Sequence, residues 1–452
     1  MTKIKRKALM YFIIVALLLI VLGKVFFGTN NTSNLFLYMY GITVTMILCV
    51  VFFMVFTSYC DPYEIAKEEL QKKDNNKKKP LFVTCMVAAW NEGDGIVSCI
   101  ESMIAQTYQH REIIFVDDCS DDNTREIIER YEKKGLIKGI YLDKNVGKKC
   151  ALGKAMRIAK GDIFAFSDSD SLWKEDALER IMAIFMHDKN VGGVSGHCRA
   201  QNAQKNVITR VQDSWYEGQF GIRKAFESIF GAITCVSGPL AVFRREAIYN
   251  YIPAWENDKF LGQEFRFATD RTLTGFVLGA PYIGKKLKKK YAQSSFVKEI
   301  DYPEKEWKIV YCKSARSWTI VPDTLSRVFR QQVRWKKSFI RNTIFTGSFY
   351  WHKHFLTAFV YYMHIIFVVI GPFVVFRHLV YMPLHGNWWT VPLYLSGILL
   401  VGFSFGLAYR LDNPDDDQWV YRPLMSLFST LVLSWILFYS LFTIKKMQWS
   451  RN

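Results

Sequence analysis

LFVTCMVAAWNEGDGIVSCIESMIAQTYQHREIIFVDD, residues 81–118, decides the fold of this chain. It opens with a β-rich run from Leu81 to Ala89, turns polar at Asn91-Glu92, and reads as a helix from Gly93 to Gln106. A second apolar run, Glu112 to Val116, then ends on Asp117-Asp118. The same alternation continues outward. Helices are expected over Asp122–Lys134, Lys149–Ala159 and Lys174–His187, and strands over Leu136–Leu142, Asp162–Phe166 and Val191–Cys198. Strands alternating with helices of about a dozen residues are βαβ units, which build a parallel sheet buried on both faces. The expectation is a Rossmann-like α/β domain reaching to about residue 347.

Ligands of such sheets bind beyond the carboxyl ends of the strands. Carboxylates gather at those ends: Glu92 after the first strand, Asp117 and Asp118 after the second, Asp168 and Asp170 after the fourth. Helix capping by Asp121 or Ser171 would account for one polar residue per loop, but not for acids after three strands of a chain whose net charge is +18. Asp168 and Asp170 can share one divalent cation, and oxygen ligands favour Mg²⁺ or Mn²⁺. Asp117 and Glu92 suit a base or ribose, while Lys148 and Lys149 add cationic donors. No GxGxxG follows the first strand and no GxxxxGK[ST] occurs, so dinucleotide-binding and P-loop readings are set aside.

The flanks are a different material. Half of the 452 residues are apolar, and they concentrate at the two ends. Ala8 to Phe27 and Leu35 to Ser58 can each cross a bilayer, as can Phe355 to Phe376, Val391 to Tyr409 and Leu424 to Ile444. Lys3, Lys5, Arg6 and Lys7 place the N-terminus in the cytoplasm. Lys445, Lys446 and Arg451 favour the same side for the tail, so the last apolar stretch is expected to be interfacial or re-entrant. The expected plan is two spans in residues 1–60, a cytosolic domain at 61–347 with amphipathic interface helices near its end, and a membrane region at 348–452. The positive charge fits this plan and an anionic ligand. The runs at 77–79 and 285–290 belong to no nucleic-acid-binding module. Nine cysteines without a CxxC pair read as reduced thiols. The sequons in 30–33 lie in a link too short and too near the bilayer to be expected as acceptors.

Two clusters lie downstream. The first runs from Phe260-Leu261-Gly262-Gln263 to Thr269-Asp270-Arg271. The second is Gln331-Gln332-Val333-Arg334-Trp335, where Arg334 offers a planar fork for phosphate oxygens and Trp335 a flat face for a sugar. The cations Arg327, Arg330, Arg334, Lys336, Lys337 and Arg341 equally suit an interface helix greeting lipid headgroups.

Taken in order, these motifs resemble the membrane-embedded, processive class of family 2 glycosyltransferases, and within it the hyaluronan synthases. The likeness also rests on Ser237-Gly238-Pro239-Leu240, Phe243-Arg244-Arg245-Glu246 and Tyr439-Ser440-Leu441-Phe442-Thr443-Ile444. It departs where this chain has Ala268-Thr269-Asp270-Arg271 for the usual G-D-D-R, and Trp449-Ser450-Arg451 for W-G-T-R.

The resemblance implies a GT-A domain on the cytoplasmic face of the cell membrane, with both termini cytoplasmic. It implies UDP-sugar donors, Mg²⁺ or Mn²⁺ on Asp168 and Asp170, and a growing polysaccharide as acceptor. Ala89, Glu92, Asp117 and Lys148 would line the uridine pocket, and Asp270 would be the general base. Arg334 and Arg341 would stabilise the departing diphosphate, and Gln331 and Gln332 would bind substrate. Trp335 and the turn Ser237-Gly238-Pro239 would position the acceptor. The implied product is hyaluronan, from UDP-GlcNAc and UDP-glucuronate. Another β-linked polymer, or single transfer to a lipid-linked acceptor, are the alternatives. Oligomeric state is left open.

Overall fold

The computed structural model describes residues 3–27, 35–72 and 80–446, with side chains from Lys7 to Gly23, Met39 to Lys72 and Pro80 to Lys446. The link 28–34 with its sequons, the lysine run at 77–79 and the tail Trp449-Ser450-Arg451 lie outside the described residues, as do the side chains of Lys3, Lys5 and Arg6.

The strands are β1 (Val83–Ala89), β2 (Arg111–Asp117), β3 (Lys138–Tyr141), β4 (Ile163–Ser167), β5 (Ser171–Trp173), β6 (Val191–Ala200), β7 (Ala241–Arg244), β8 (Lys259–Phe260), β9 (Gln263–Glu264) and β10 (Lys308–Thr319). Eight form one sheet in the order β3-β2-β1-β4-β7-β6-β10-β5, and β8 and β9 make a separate hairpin. The β3-β2-β1-β4 half is parallel throughout, as expected. The rest is mixed: β7 runs antiparallel to β4 and β6, and β5 antiparallel to β10. Ser171, weighed as a helix cap, lies in β5. These strands are three or four residues long, too short to show a hydrophobic period of their own.

The alternation of β1 shows how the sheet joins the membrane region. All seven of its residues are buried. Cys85, Val87 and Ala89 pack with Ile96, Ile100 and Met103 of the helix Gly95–Ile104. Met86 and Ala88 face the other way, into a core holding Ala151, Leu152 and Ala155 and continuous with Val51, Phe52 and Val55 of the apolar helix Leu35–Ser58. One sheet face therefore shares its core with a membrane-type helix. Asp61 fastens the junction, accepting from the Tyr63 N–H at 3.0 Å and the Ser314 N–H at 2.7 Å.

Helices within Met39–Lys72, Phe355–Leu384 and Thr390–Asp412 are long and apolar enough to cross a membrane. The last apolar stretch is broken: Gln418–Leu433 and Ile436–Phe442 meet at a 41° bend. The helix Lys3–Phe27 has 25 residues, and its described side chains, Lys7–Gly23, form a shorter apolar segment.

Candidate active site

The loops after β1 and β2 lock each other. Asn91, with φ of 54°, donates its backbone N–H to Ser120 Oγ at 3.0 Å, and its Oδ1 accepts from the Asp121 N–H at 2.8 Å. Asp121 therefore caps nothing, and the helix Thr124–Lys133 begins without a side-chain cap at Asn123. Asp117 is buried beside Ala89 in register; its Oδ1 accepts from the Ser120 N–H at 3.2 Å. Its Oδ2 has no hydrogen-bond partner among the described residues. Asp118, unassigned in the sequence reading, accepts from the Val146 and Gly147 N–H groups, both at 2.8 Å, and so shapes the turn that delivers Lys148. Burial pushes the Asp118 carboxyl up, against those two donors.

At the end of β4 the Asp168 carboxylate forms an ion pair with Lys148. Burial alone would lower the Lys148 pKa, but Asp168 outweighs it and the ammonium is held above its usual range. Asp170 Oδ1 accepts from Thr319 Oγ1 at 3.2 Å. Ser169, between them, donates to Glu92 Oε1 at 2.6 Å, tying this loop to the loop after β1. Among the described residues no group of three or more His, Cys, Asp or Glu is placed to hold a metal. Two carboxylates at one strand end are nevertheless the donor set expected of a Mg²⁺ or Mn²⁺ that takes its other ligands from substrate phosphates and water.

The turn Ser237-Gly238-Pro239 lies against this pair. The Pro239 carbonyl accepts from Trp173 Nε1 at 2.7 Å and Ser167 Oγ at 3.1 Å. A Cβ on Gly238 would stand 2.9 Å from both Asp168 carboxylate oxygens. Gly238→Ala should therefore displace Asp168 and its bond to Lys148. We expect donor affinity to fall about tenfold, as overpacking by one methyl group costs roughly 1–3 kcal/mol. Calorimetry with UDP beside a thermal melt checks this; unchanged affinity would show that Asp168 takes no part in the donor site.

Asp270 sits in the first turn of the helix Thr269–Lys290, whose N-terminal dipole favours a carboxylate. Ala268, at φ 61°, makes the turn into this helix. Oδ1 accepts from the Arg271 N–H at 2.8 Å and Oδ2 from the Cys235 thiol at 3.3 Å. Lys224, on the π-helical turn Gln219–Lys224, reaches Ser195 Oγ at 2.8 Å and Ser237 Oγ at 2.6 Å. Burial lowers its pKa to about 8. Trp335 belongs to an aromatic wall with Trp215 at 5.4 Å and Tyr216 at 6.2 Å between ring centroids.

One cavity of about 1110 Å³ joins these groups. Ala89, Glu92, Lys148, Asp168, Asp170, Ser237, Gly238, Pro239, Asp270, Gln331, Gln332, Arg334 and Trp335 all line it. It runs on to Phe339, His364, Val368, Ser429 and Leu433, which belong to the interface helix and the apolar helices. Arg223, Arg271 and Lys336 gather near that end, and burial, reinforced by the two arginines, lowers the Lys336 pKa to about 8.

Three residues expected at the site do not line this cavity: Asp117, buried at the end of β2, and Arg341 and Lys149. Arg341 points away, buried in an ion pair with Asp258, whose other oxygen accepts from Lys149 at 2.9 Å. Lys149 also donates to the Phe265 carbonyl at 2.8 Å, so it serves this structural triad and not the carboxylate edge. Trp215, Tyr216 and Lys224 carry no motif in the sequence, although Tyr216, Phe220 and Lys224, at spacings of four, share one helical face. His197 contacts Tyr311 Oη and Glu217 and is structural, and His354 caps the helix Phe355–Phe376.

Residues 84–252 match the family described as "Glycosyl transferase family 2". Over 448 residues the chain is 27% identical to a hyaluronan synthase of Streptococcus pyogenes, covering 97% of this chain and 95% of that protein. Over 265 residues it is 31% identical to an N-acetylglucosaminyltransferase of Azorhizobium caulinodans, covering 58% of this chain and 60% of that protein. Among solved structures, a mannosyltransferase of Pyrobaculum calidifontis in complex with GDP-Man and Mn²⁺ is 17% identical, with a TM-score of 0.44, over 88% of this chain and 99% of that one.

Proposed function

We propose, for a chain that is a glycosyltransferase with a family 2 domain at residues 84–252, that it is a processive, inverting synthase which builds a polysaccharide from UDP-sugars and feeds it into its own membrane helices. The observation that carries this reading is the single cavity running from the carboxylate edge past Asp270 to Val368, Ser429 and Leu433. A single-transfer enzyme with a soluble acceptor has no need of a site continuous with its apolar helices; one with a lipid-linked acceptor would share this opening and would yield no polymer in the assay below.

In this reading the unpaired Asp117 oxygen accepts from the uracil N–H, and Ala89 and Glu92 border the nucleoside. A Mg²⁺ or Mn²⁺ on Asp170 and Asp168 would supply positive charge to the diphosphate. Lys148 and Arg334 bind the diphosphate oxygens and stabilise the charge that grows there as the sugar leaves. Asp270 takes the proton from the acceptor hydroxyl, whose oxygen attacks the anomeric carbon from the face opposite the departing UDP. One such displacement inverts the anomeric centre. Trp335, with Trp215 and Tyr216 beside it, offers the stacking wall for the acceptor sugar. Arg341 has no part in this scheme.

Identity of 27% along nearly the whole length of a hyaluronan synthase favours UDP-GlcNAc and UDP-glucuronate as donors. Another β-linked polymer is the second reading, favoured by the 31% identity to an N-acetylglucosaminyltransferase. The proposal retains the domain plan expected from sequence, with the catalytic domain and both termini on the cytoplasmic side of a cell membrane.

Sealed inverted membrane vesicles test donors, polymer and orientation together. Radiolabelled UDP-sugars supplied outside, singly and in pairs, should yield polymer inside the vesicles only with both donors, and a hyaluronan-specific lyase should degrade it after lysis. Incorporation from one donor alone would replace hyaluronan by a homopolymer. Product confined to the outer solution would remove the export reading.

A further inference from the structure

Residues 234–237 are held one by one. Thr234 donates to Glu227, its N–H reaching Oε2 at 2.9 Å. The Val236 N–H reaches Thr274 Oγ1 at 3.0 Å, and that hydroxyl donates to the Asp270 carbonyl at 2.7 Å. Ser237 is held by Lys224 at 2.6 Å. The segment is thus docked onto the first turn of the helix Thr269–Lys290, and Cys235 is the residue whose side chain lands on the Asp270 carboxylate. Burial first, and the Asp270 charge second, push the Cys235 thiol up to about 12, so it stays protonated and donates throughout the working range.

We propose that Cys235 is a positioning residue for the catalytic base: its thiol occupies one side of Asp270 Oδ2, while the Arg271 N–H holds Oδ1, so that the remaining lone pairs face the acceptor hydroxyl. This rests on Asp270 being the base. A thiol suits the task because it is a weak donor. It fixes the direction of the carboxylate while withdrawing little of the electron density needed to take a proton. A hydroxyl in its place would bind the anion more strongly and make it a poorer base, and a methyl group would leave it free to rotate. The other charges around Asp270 are Lys148, Lys224 and Arg271, with Glu227 acting on the last two. Lys224, at about 8, titrates on the alkaline side and leaves the acid limb of a rate profile to the carboxylate.

The test uses the purified full-length protein, with UDP release followed against pH and donor affinity measured separately. Cys235→Ala should keep donor affinity and KM, lower kcat about tenfold, and move the acid limb to higher pH, since a donor to the charged form is gone. Cys235→Ser should recover much of kcat, with its acid limb at or below that of the parent. Coincident acid limbs and unchanged kcat in all three proteins would overturn the proposal, as would a loss expressed wholly in KM. Wild-type turnover in Asp270→Asn would instead remove the base assignment itself. An inactive Asp270→Asn beside indifferent Cys235 variants would overturn only the role of the thiol.

Discussion

Asp270→Asn is expected to bind UDP-sugar almost as the parent does and to transfer it about 10²–10⁴-fold more slowly, the range that a positioned general base supplies. The geometry gives the reason for this separation. Asp270 stands in the first turn of the helix Thr269–Lys290, on the same cavity as Asp168 and Lys148, which the proposed reading assigns to the donor. An asparagine there keeps an amide oxygen to accept from the Arg271 N–H, now at 2.8 Å, while its NH2 takes the place of Oδ2 and turns a donor towards the Cys235 sulfur. The fold and the neighbouring turn thus lose little, and what disappears is the capacity to take a proton. Donor affinity by calorimetry and UDP release by a coupled assay separate the two. Loss of affinity equal to the loss of rate would make Asp270 a binding residue. Thr269 is the position at which the resemblance drawn from the sequence expects a second acid, and Thr269→Asp should stay active with a displaced pH profile.

The half of the sheet that carries this chemistry was legible in the sequence, because β1, β2 and β4 are long enough to state their own period and end on polar loops. The other half was not. Of Ala241–Arg244 only Phe243 and Arg244 belong to a quoted motif, and the four buried residues form the antiparallel strand that separates β4 from β6. The site shows the same division. Of the residues placed at strand ends by local pattern, Ala89, Glu92, Asp168 and Asp170 fall on the cavity, while Asp117 is buried beside it. Arg341 does not line it, although its spacing of seven from Arg334 puts both on nearly the same helical face. Two turns carry it about 10 Å further along the helix, beyond the cavity and onto Asp258. Asp258 itself carried no signal, since its partners Lys149 and Arg341 are 109 and 83 residues away. Its triad is worth most as a constraint. Removing one member of such a buried set costs roughly 3–5 kcal/mol, because the remaining charges stay in the interior unpaired.

Asp170→Asn is expected to lower transfer by at least about 10²–10³-fold, the scale of losing one group that stabilises charge as the leaving group departs. The structure separates this chemical loss from a structural one. Asp170 Oδ1 accepts from Thr319 Oγ1 at 3.2 Å and from Ser171 Oγ at 3.4 Å, and an asparagine oxygen can keep both bonds. The ladder of β5 on β10, which runs through Ser171 and Thr319, is then undisturbed, and thermal stability should match the parent. What changes is charge. Asp168 pairs with Lys148, and the charge of Asp170 acts on the same ammonium, so the proposed divalent cation would draw on both carboxylates. The decisive readout is therefore binding and not rate. Mn²⁺ titrated into the full-length protein with UDP should show a UDP-dependent site in the parent and none in Asp170→Asn, and chelation by EDTA should bring the parent down to the variant's rate. Full activity in EDTA, or equal UDP-dependent Mn²⁺ binding in both proteins, would leave Asp170 a purely structural partner of Thr319.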